Sequence, residues 1–398
     1  MMEVKKIPEG WIETTLGNVI NISSGKSRPK KQGLFPVYGG NGILDYADSY
    51  NYENATVIVG RVGAYCGCVY YEENKFWLSD NALGIKSNEN SEIRFLYYFL
   101  LNENLNRIAI GGAQPLLTQG LLNQIEIIVP SDIKEQKSIA QILTSFDDKI
   151  ELLQAQNKTL EALAQTVFKE WFGKYQVGDE LPEGWKTAKI NDFIEISLGG
   201  DYGKEDIEDE FDQKTLCLRG TDLPDMKMGT PEKAPIRFLK KSKLEKCKLI
   251  NGDIVIEISG GTENQSTGRV MYINDIIIQN SKLPMTCVNF CRIIRPSKIE
   301  YTYFLYSLFD NLYNRRIFFN WENGTTGIKN LNLNAFLNGF ELIIPADKNK
   351  IIKFDELVKS KFVKIQTNNI QIQTLTKTRD ELLPKLMSGE IRLEEFKN

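Results

Sequence analysis

Residues 7–25 read IPEGWIETTLGNVINISSG, and residues 181–199 read LPEGWKTAKINDFIEISLG. A constant shift of 174 relates the two stretches, and 8 of the 19 positions are identical. Pro8, Glu9, Gly10 and Trp11 return as Pro182, Glu183, Gly184 and Trp185; Ser23 and Gly25 return as Ser197 and Gly199. Identity that continues past a four-residue turn marks a duplication, not a chance turn motif. A second match closes each copy: IEIIVPSD at 125–132 returns as FELIIPAD at 340–347, shifted by 215. The 41 residues by which the shifts differ lie inside the second copy. The chain is thus a tandem repeat with like ends and unlike centres, a pattern that decides architecture before single residues are read. It suggests a shared frame carrying two different readers.

Inside each copy, short alternating runs with β-branched residues predict strands. They fall at 55–59, 68–71 and 124–129 in the first copy and at 254–258 and 271–278 in the second. Gly-rich turns such as Tyr38-Gly39-Gly40-Asn41-Gly42 separate them. Helices are expected at 93–105 and 301–313. Each centre is therefore mixed α/β (α+β), mostly antiparallel if the short turns are hairpins.

Each copy ends in a long helix. Residues 135–172 contain neither Pro nor Gly, and apolar residues recur at heptad spacing from Ile139 through Leu143, Ile150, Leu153 and Leu160 to Trp171. Such a helix would span about 57 Å at 1.5 Å per residue. Asn157 falls on the seam, where a buried polar residue fixes register at some cost in stability. Residues 351–387 carry the matching stripe, interrupted by Lys361, Asn368 and Arg379, and Pro384 is expected to bend or end the helix. The preferred expectation pairs the two helices as an antiparallel coiled coil about a pseudo-two-fold axis; the alternative packs each on its own domain. Phe168, Trp171 and Phe172 exceed what a two-helix seam needs, which predicts an outer apolar face there.

Composition sets the outer bounds. A length of 398 residues suggests two or three domains, and 42% apolar with 25% charged residues is ordinary for a globular protein. No membrane span or signal-peptide core stands out, and six Cys suit a reducing compartment, so a cytoplasmic location is expected. The chain has no His, which removes the Ser/His/Asp triad and most imidazole acid–base chemistry. A net charge of −3 is unusual for a free-standing nucleic-acid binder.

The chain resembles the specificity subunits of type I restriction–modification systems. The paired I/LPEGW starts, YGGNGILDY at 38–46, GRVGAYCGCVYY at 60–71, FWLSDNALGIK at 76–86, GGAQPLL at 111–117 and the I-x-[IL]-P boundary before each long helix carry the resemblance. No single motif is specific, but their order spans essentially the whole chain. The resemblance implies a target-recognition domain at 1–134, a conserved helical region at 135–178, a second target-recognition domain at 179–346 and a second helical region at 347–398. It implies a non-catalytic subunit that reads both halves of a bipartite, asymmetric site on double-stranded DNA. The helices would act as spacer and as dock for two methyltransferase subunits, with restriction subunits joining the full complex. Those partners would use S-adenosylmethionine for adenine-N6 methylation, and ATP and Mg for cleavage; this chain would bind no cofactor.

Candidate DNA contacts follow from residue type and setting. Lys26, Arg28, Lys30 and Lys31 form an acid-free loop suited to phosphates. Tyr38, Asn41, Arg61 and Tyr65 sit in Gly-rich loops, where backbone can approach DNA and Asn or Arg can read base edges. Gln114 is a base-edge candidate, and Lys329 aligns with it at shift 215. In the second copy Tyr202, Lys204, Arg219 and Thr221 open the diverged region, and Ser259 and Arg269 flank a Gly/Ser/Thr loop. Residues 226–248 hold eight Lys or Arg against two Glu, a candidate phosphate track, while the acidic run 201–212 reads as a solvent-facing insertion. Ordinary turn chemistry or a solvated surface accounts for each of these features nearly as well.

Enzyme readings find little support. A methyltransferase would need a cofactor loop and an Asn/Asp-Pro-Pro-aromatic site, yet no Pro-Pro pair and no G-x-G-x-x-G occurs. Glu72, Glu73 and Lys75 are a weak nuclease fragment, and Cys66-Cys68 with Cys287-Cys291 would bind zinc only if the pairs met. A self-contained DNA-modifying enzyme, or an unrelated two-domain DNA-binding protein, remains the alternative.

Overall fold

The computed structural model of the chain describes residues 7–112, 114–228, 234–324 and 328–392. The first copy carries strands β1 (Trp11–Thr15), β2 (Ile20–Ser24), β3 (Gln32–Gly39), β4 (Gly42–Ala47), β5 (Thr56–Gly60), β6 (Val69–Glu72), β7 (Trp77–Leu78) and β8 (Ala82–Ser87). Helices α1 (Ile93–Asn102) and α2 (Gln119–Asn123), strand β9 (Glu126–Pro130) and the long helix α3 (Ile133–Phe172) follow. The second copy begins with β10 (Trp185–Lys189), β11 (Ile194–Gly199), β12 (Phe211–Leu218), α4 (Leu223–Lys227), β13 (Ile236–Lys240), α5 (Lys241–Cys247), β14 (Ile254–Glu257) and β15 (Ser259–Gly260). It continues through β16 (Val270–Tyr272), α6 (Asp275–Asn280), β17 (Met285–Cys287), β18 (Cys291–Pro296), α7 (Thr302–Asn314), β19 (Glu322–Asn323), β20 (Lys329–Leu331), α8 (Leu333–Gly339), β21 (Glu341–Pro345) and α9 (Asn349–Ser388).

The repeated ends are one structure. Antiparallel β1–β9 sets Trp11 opposite Pro130, and antiparallel β10–β21 sets Trp185 opposite Pro345, in the same register. The two ends of each copy are therefore alike because they form a single ladder leading into a long helix. Each Pro-Glu-Gly-Trp is a turn, with Trp11 N–H donating to Pro8 O at 3.1 Å and Trp185 N–H to Pro182 O at 3.2 Å. Gly10 at φ +77° and Gly184 at φ +85° supply the left-handed third position that favours glycine.

The diverged centres keep one topology. Sheet order β2-β8-β5-β6 in the first copy recurs as β11-β18-β14-β16 in the second, antiparallel throughout. Order β4-β3-β7 recurs as β13-β12-β17, each with one antiparallel and one parallel pair. The second copy adds β15-β20-β19. In the first sheet all five residues of β5 are buried, so this strand is a continuous apolar run without alternation.

The chain divides into two compact units, Met1–Lys149 with Leu375–Asn398, and Ile150–Thr374. Each takes part of both long helices. In the first, Leu143 of α3 and Leu386 of α9 share the core with Phe95 and Leu83, and Arg379 Nη1 bonds Asp147 at 2.6 Å. In the second, Trp171 and Phe172 meet Phe354, while Asn157 meets Asn368 and Asn369, so the helices run antiparallel. The seam interruptions Asn368 and Arg379 are thus pairing residues.

Three expectations are corrected. The run 271–278 is not one strand: β16 stops at Tyr272, and the Asn274 side chain accepts from Ile277 N–H at 3.1 Å to start α6. Short apolar runs carry too little periodicity to separate strand from helix, and the Asn cap decides. Helix α9 does not end at Pro384 but runs on to Ser388, with Leu383, Leu386 and Met387 buried in its last turn despite the lost donor. Phe168 and Phe172 are 5% and 8% exposed, not on an outer face. They pack with half-buried Trp171 against Phe304 and Phe354 inside the second unit.

Candidate nucleic-acid interface

In the first unit the basic loop leaves β2 on a pinned backbone. Gly25 N–H bonds Ala82 O at 3.2 Å, Lys26 N–H bonds Leu78 O at 3.0 Å and Trp77 Nε1 donates to Lys26 O at 3.3 Å. A Cβ on Gly25 would lie 1.9 Å from Ser79 O, so this approach requires glycine. The side chains of Lys26, Arg28, Lys30 and Lys31 are exposed. Among the described residues Arg28 pairs with Asp45 alone, at 3.8 Å, a solvent-screened pair of little strength.

Three loops meet beside this one. Arg61 N–H bonds Asn81 O at 3.0 Å, Gly63 N–H bonds Pro115 O at 3.0 Å and Leu117 N–H bonds Arg61 O at 2.9 Å. A Cβ on Gly60 would lie 2.3 Å from Tyr65 O and 2.7 Å from Gly40 O. The fold thereby gathers the loops bearing Asn41, Arg61, Tyr65 and Gln114, with Asn41, Tyr65 and Gln114 exposed and Arg61 half-buried. Tyr38 does not join them. It lies in β3, 7% exposed, and donates its hydroxyl to Glu72 Oε2 at 3.0 Å. Burial, reinforced by the Glu72 carboxylate, pushes its phenol well above the usual range.

The second unit treats its cations differently. Arg219 grips Asp222 with Nε at 3.0 Å and Nη2 at 2.8 Å, and Asp222 is only 2% exposed. Arg269 holds the equally buried Glu257 with Nε at 2.8 Å and a second bond from Nη2. Releasing either guanidinium would strand a buried carboxylate, so both are committed to partners within the unit. Lys329 pairs with Glu322 at 3.4 Å and lies over the Phe319 ring at 4.5 Å. Ser259 lies on β15, paired with the β20 strand that carries Lys329. Thr221 is exposed. Tyr202 is exposed too; its hydroxyl accepts from Arg237 Nη2 at 2.8 Å and its ring faces that guanidinium at 4.7 Å. Lys204 bonds Phe238 through its backbone and Glu208 through Nζ at 3.3 Å.

Of the basic track, Lys233 lies outside the described residues and four of the other cations are paired. Lys227 turns inward to Asp310 at 2.7 Å and Glu161 at 3.7 Å. Arg237 pairs with Glu205 at 3.0 Å, Lys240 with Glu210 at 2.7 Å and Lys243 with Asp201 at 3.9 Å. The acidic run faces solvent as expected, and its Asp201, Glu205 and Glu210 also pair with these cations. The Lys240 ammonium holds the Glu210 carboxyl below its ordinary value. Sequence reading counts Arg237 as one cation among eight and misses its stacking on Tyr202, because the two residues are 35 apart and meet only through strand pairing.

Two copies of one α/β topology, each closed by a terminal ladder and carrying its own polar loops, define a duplicated recognition protein. The family model for the type I restriction modification DNA specificity domain matches residues 8–162 and 182–384, and the chain belongs to that family. It is 29% identical over 331 residues, 76% of this chain and 70% of the relative, to the type I restriction enzyme MjaIX specificity subunit of Methanocaldococcus jannaschii. It is 24% identical over 364 residues, 77% of this chain and 75% of the relative, to the HindI specificity subunit of Haemophilus influenzae. The S subunit of a type I restriction-modification system from M. genitalium shares the fold, with a TM-score of 0.64 at 17% identity over 97% of this chain and 98% of that one. Among the described residues no helix is long and apolar enough to cross a membrane.

Proposed function

We propose that the chain is the non-catalytic specificity subunit of a type I restriction–modification complex, reading the two halves of a bipartite, asymmetric site on double-stranded DNA. The observation that carries this is one sheet order repeated in both copies under different loop chemistry: an Arg61 whose Nε has no partner among the described residues in the first, and Arg219 and Arg269 closed on carboxylates in the second. A common frame with unlike loops suits two different half-sites. The length of α3 and α9 would set the spacer between them. Two methyltransferase subunits would dock on the long helices and supply S-adenosylmethionine-dependent adenine-N6 methylation; restriction subunits would bring ATP- and Mg-dependent cleavage. Burial of Phe168 and Phe172 moves the docking candidates to the exposed Leu152 and Leu163 of α3 and Leu357 of α9. Cationic partners would supply DNA affinity that a chain of net charge −3 lacks.

The test is an exchange of residues 7–134 for the matching region of another family member, followed by mapping of methylated adenines. One half of the recognised site should change. Change in both halves, or in neither, would overturn the modular reading. Titration of the isolated chain with S-adenosylmethionine separates the alternative: tight binding would favour a self-contained enzyme.

A further inference from the structure

We propose that Arg61 reads a guanine in the half-site of the first unit; this rests on the reading that the unit binds DNA. The inference begins with an unmet donor. Arg61 Nε is buried with no hydrogen-bond partner among the described residues, while the residue as a whole is half-buried. A buried unsatisfied donor costs stability, and folded chains rarely keep one without a use. In the second unit Arg219 and Arg269 each close on a nearly fully buried carboxylate, and Arg237, whose Nε is also buried without a partner, pairs through Nη2 with Tyr202 and Glu205. Arg61 has no such carboxylate.

The backbone beneath Arg61 is fixed from three sides. Its N–H is held by Asn81 O, its carbonyl accepts from Leu117 N–H, and Cys66 Sγ lies 3.3 Å from the same carbonyl. A side chain at Gly60 would clash with the carbonyls of Tyr65 and Gly40, so the neighbouring segments pack closely there. A second orphan lies close by: Ser79 Oγ is buried without a partner, and Ser79 is 2% exposed. An ideal Cβ on Gly39 would lie 3.4 Å from that hydroxyl. Two polar groups without partners among the described residues thus lie on the segments that pack around Gly39 and Gly60.

The chemistry selects the acceptor. Flexible exposed cations suit phosphates, and Lys26, Arg28, Lys30 and Lys31 already provide them. A planar guanidinium on an immobile backbone suits an edge with two acceptors at fixed spacing. In the major groove that edge is guanine O6 and N7.

The experiment uses the full chain with its methyltransferase partners. Methylation mapping gives the site, and the exchange of residues 7–134 assigns its first half. Duplexes are then compared in which each guanine of that half is replaced by 7-deazaguanine, which keeps base pairing but removes N7. Wild type should lose affinity at one of these positions, and Arg61→Ala should be indifferent to the same replacement. Arg61→Ala should weaken the cognate duplex roughly 10- to 100-fold with an unchanged salt slope, and Arg61→Lys should keep the charge but lose discrimination. No guanine in that half-site, or no sensitivity of wild type to any 7-deazaguanine, overturns the assignment without relying on a variant that must fold. Equal weakening of all duplexes with a shallower salt slope reassigns Arg61 to phosphate and also overturns it. If wild type shows no sequence-dependent DNA binding, the DNA-binding reading itself has failed.

Discussion

Asn368 Nδ2 donates to Asn157 Oδ1 at 2.8 Å, and Asn157 Nδ2 donates to Asn369 Oδ1 at 2.7 Å, in the seam between the antiparallel helices of the second unit. Asn368 and Asn369 are 0% and 1% exposed, so this is a buried polar layer in an apolar stripe. Such a layer admits one alignment, because any slip leaves amides facing aliphatic side chains. Asn157→Ala is expected to cost about 1–3 kcal/mol in denaturant unfolding of the full chain. The exposed neighbour change Gln154→Ala should stay within about 0.5 kcal/mol. Equal effects of the two would mean that the layer is idle.

A pH response is expected from Asp355. This α9 carboxylate is 5% exposed and accepts from Tyr303 N–H at 2.7 Å and Phe304 N–H at 3.3 Å, at the start of α7. Burial outweighs those two donors and the nearby Lys359, and pushes its pKa up to about 7. The unfolded value is about 3.9, so the folded state keeps the proton longer. The stability this supplies is full below about pH 4 and lost as pH rises to about 7, at no more than about 1.4 kcal/mol per pH unit. Asp355→Asn should flatten that slope in urea unfolding at pH 5, 6 and 7. Parallel curves for the two proteins would show that Asp355 does not titrate in this window.

Phosphate contact by the first basic loop predicts a sequence-independent effect. Changing Lys26, Arg28, Lys30 and Lys31 together to Ala should weaken binding to all duplexes. It should also reduce the slope of log affinity against log salt by up to about 3–4. Gln114→Ala should instead relax one base position, and uniform weakening would place Gln114 on the backbone.

The acidic run over the second basic track predicts the reverse sign. Glu205 and Glu210 compete with phosphates for Arg237 and Lys240. Both carboxylates are more than 70% exposed, so these pairs contribute little to stability. Glu205→Gln with Glu210→Gln should therefore leave unfolding nearly unchanged, tighten binding to any DNA several-fold at low salt and steepen the salt dependence. Weaker binding in the double variant would show that these acids position the cations instead of screening them.

The spacer role of the long helices has its own test. One heptad inserted into each helix keeps the seam in phase and adds about 10 Å at 1.5 Å per residue. The preferred spacer should lengthen by roughly 3 base pairs, measured by methylation of targets that differ only in spacer. An unchanged optimum in a folded, partner-bound variant would sink this role while leaving docking intact.

Much of the frame was legible before any coordinates. The shifts of 174 and 215 located the ends that β1–β9 and β10–β21 join, and the heptads located α3 and α9 to within two residues at each start. These signals are local or repeated: a turn needs its glycine, and a seam needs its period. The basic loop at 26–31 and the Gly-rich loop cluster were legible for the same reason. Side-chain commitment was not. Nothing in composition distinguishes Arg61 from Arg269, since Glu257 approaches Arg269 across paired strands, 12 residues away.

By itself, then, the sequence determined a duplicated mixed α/β chain with two long helices, because duplication, turn chemistry and periodicity are written along the backbone. Tertiary structure alone decided which charges are free. It buried Phe168 and Phe172 among the aromatics of α7 and α9, closed Arg219 and Arg269 on buried acids, set Asp201, Glu205 and Glu210 against cations and left Arg61 Nε without an acceptor among the described residues. The physical reason is range. Helices, turns and repeats follow from neighbours a few residues apart, whereas pairing and burial depend on groups that only the folded sheets bring within 3 or 4 Å.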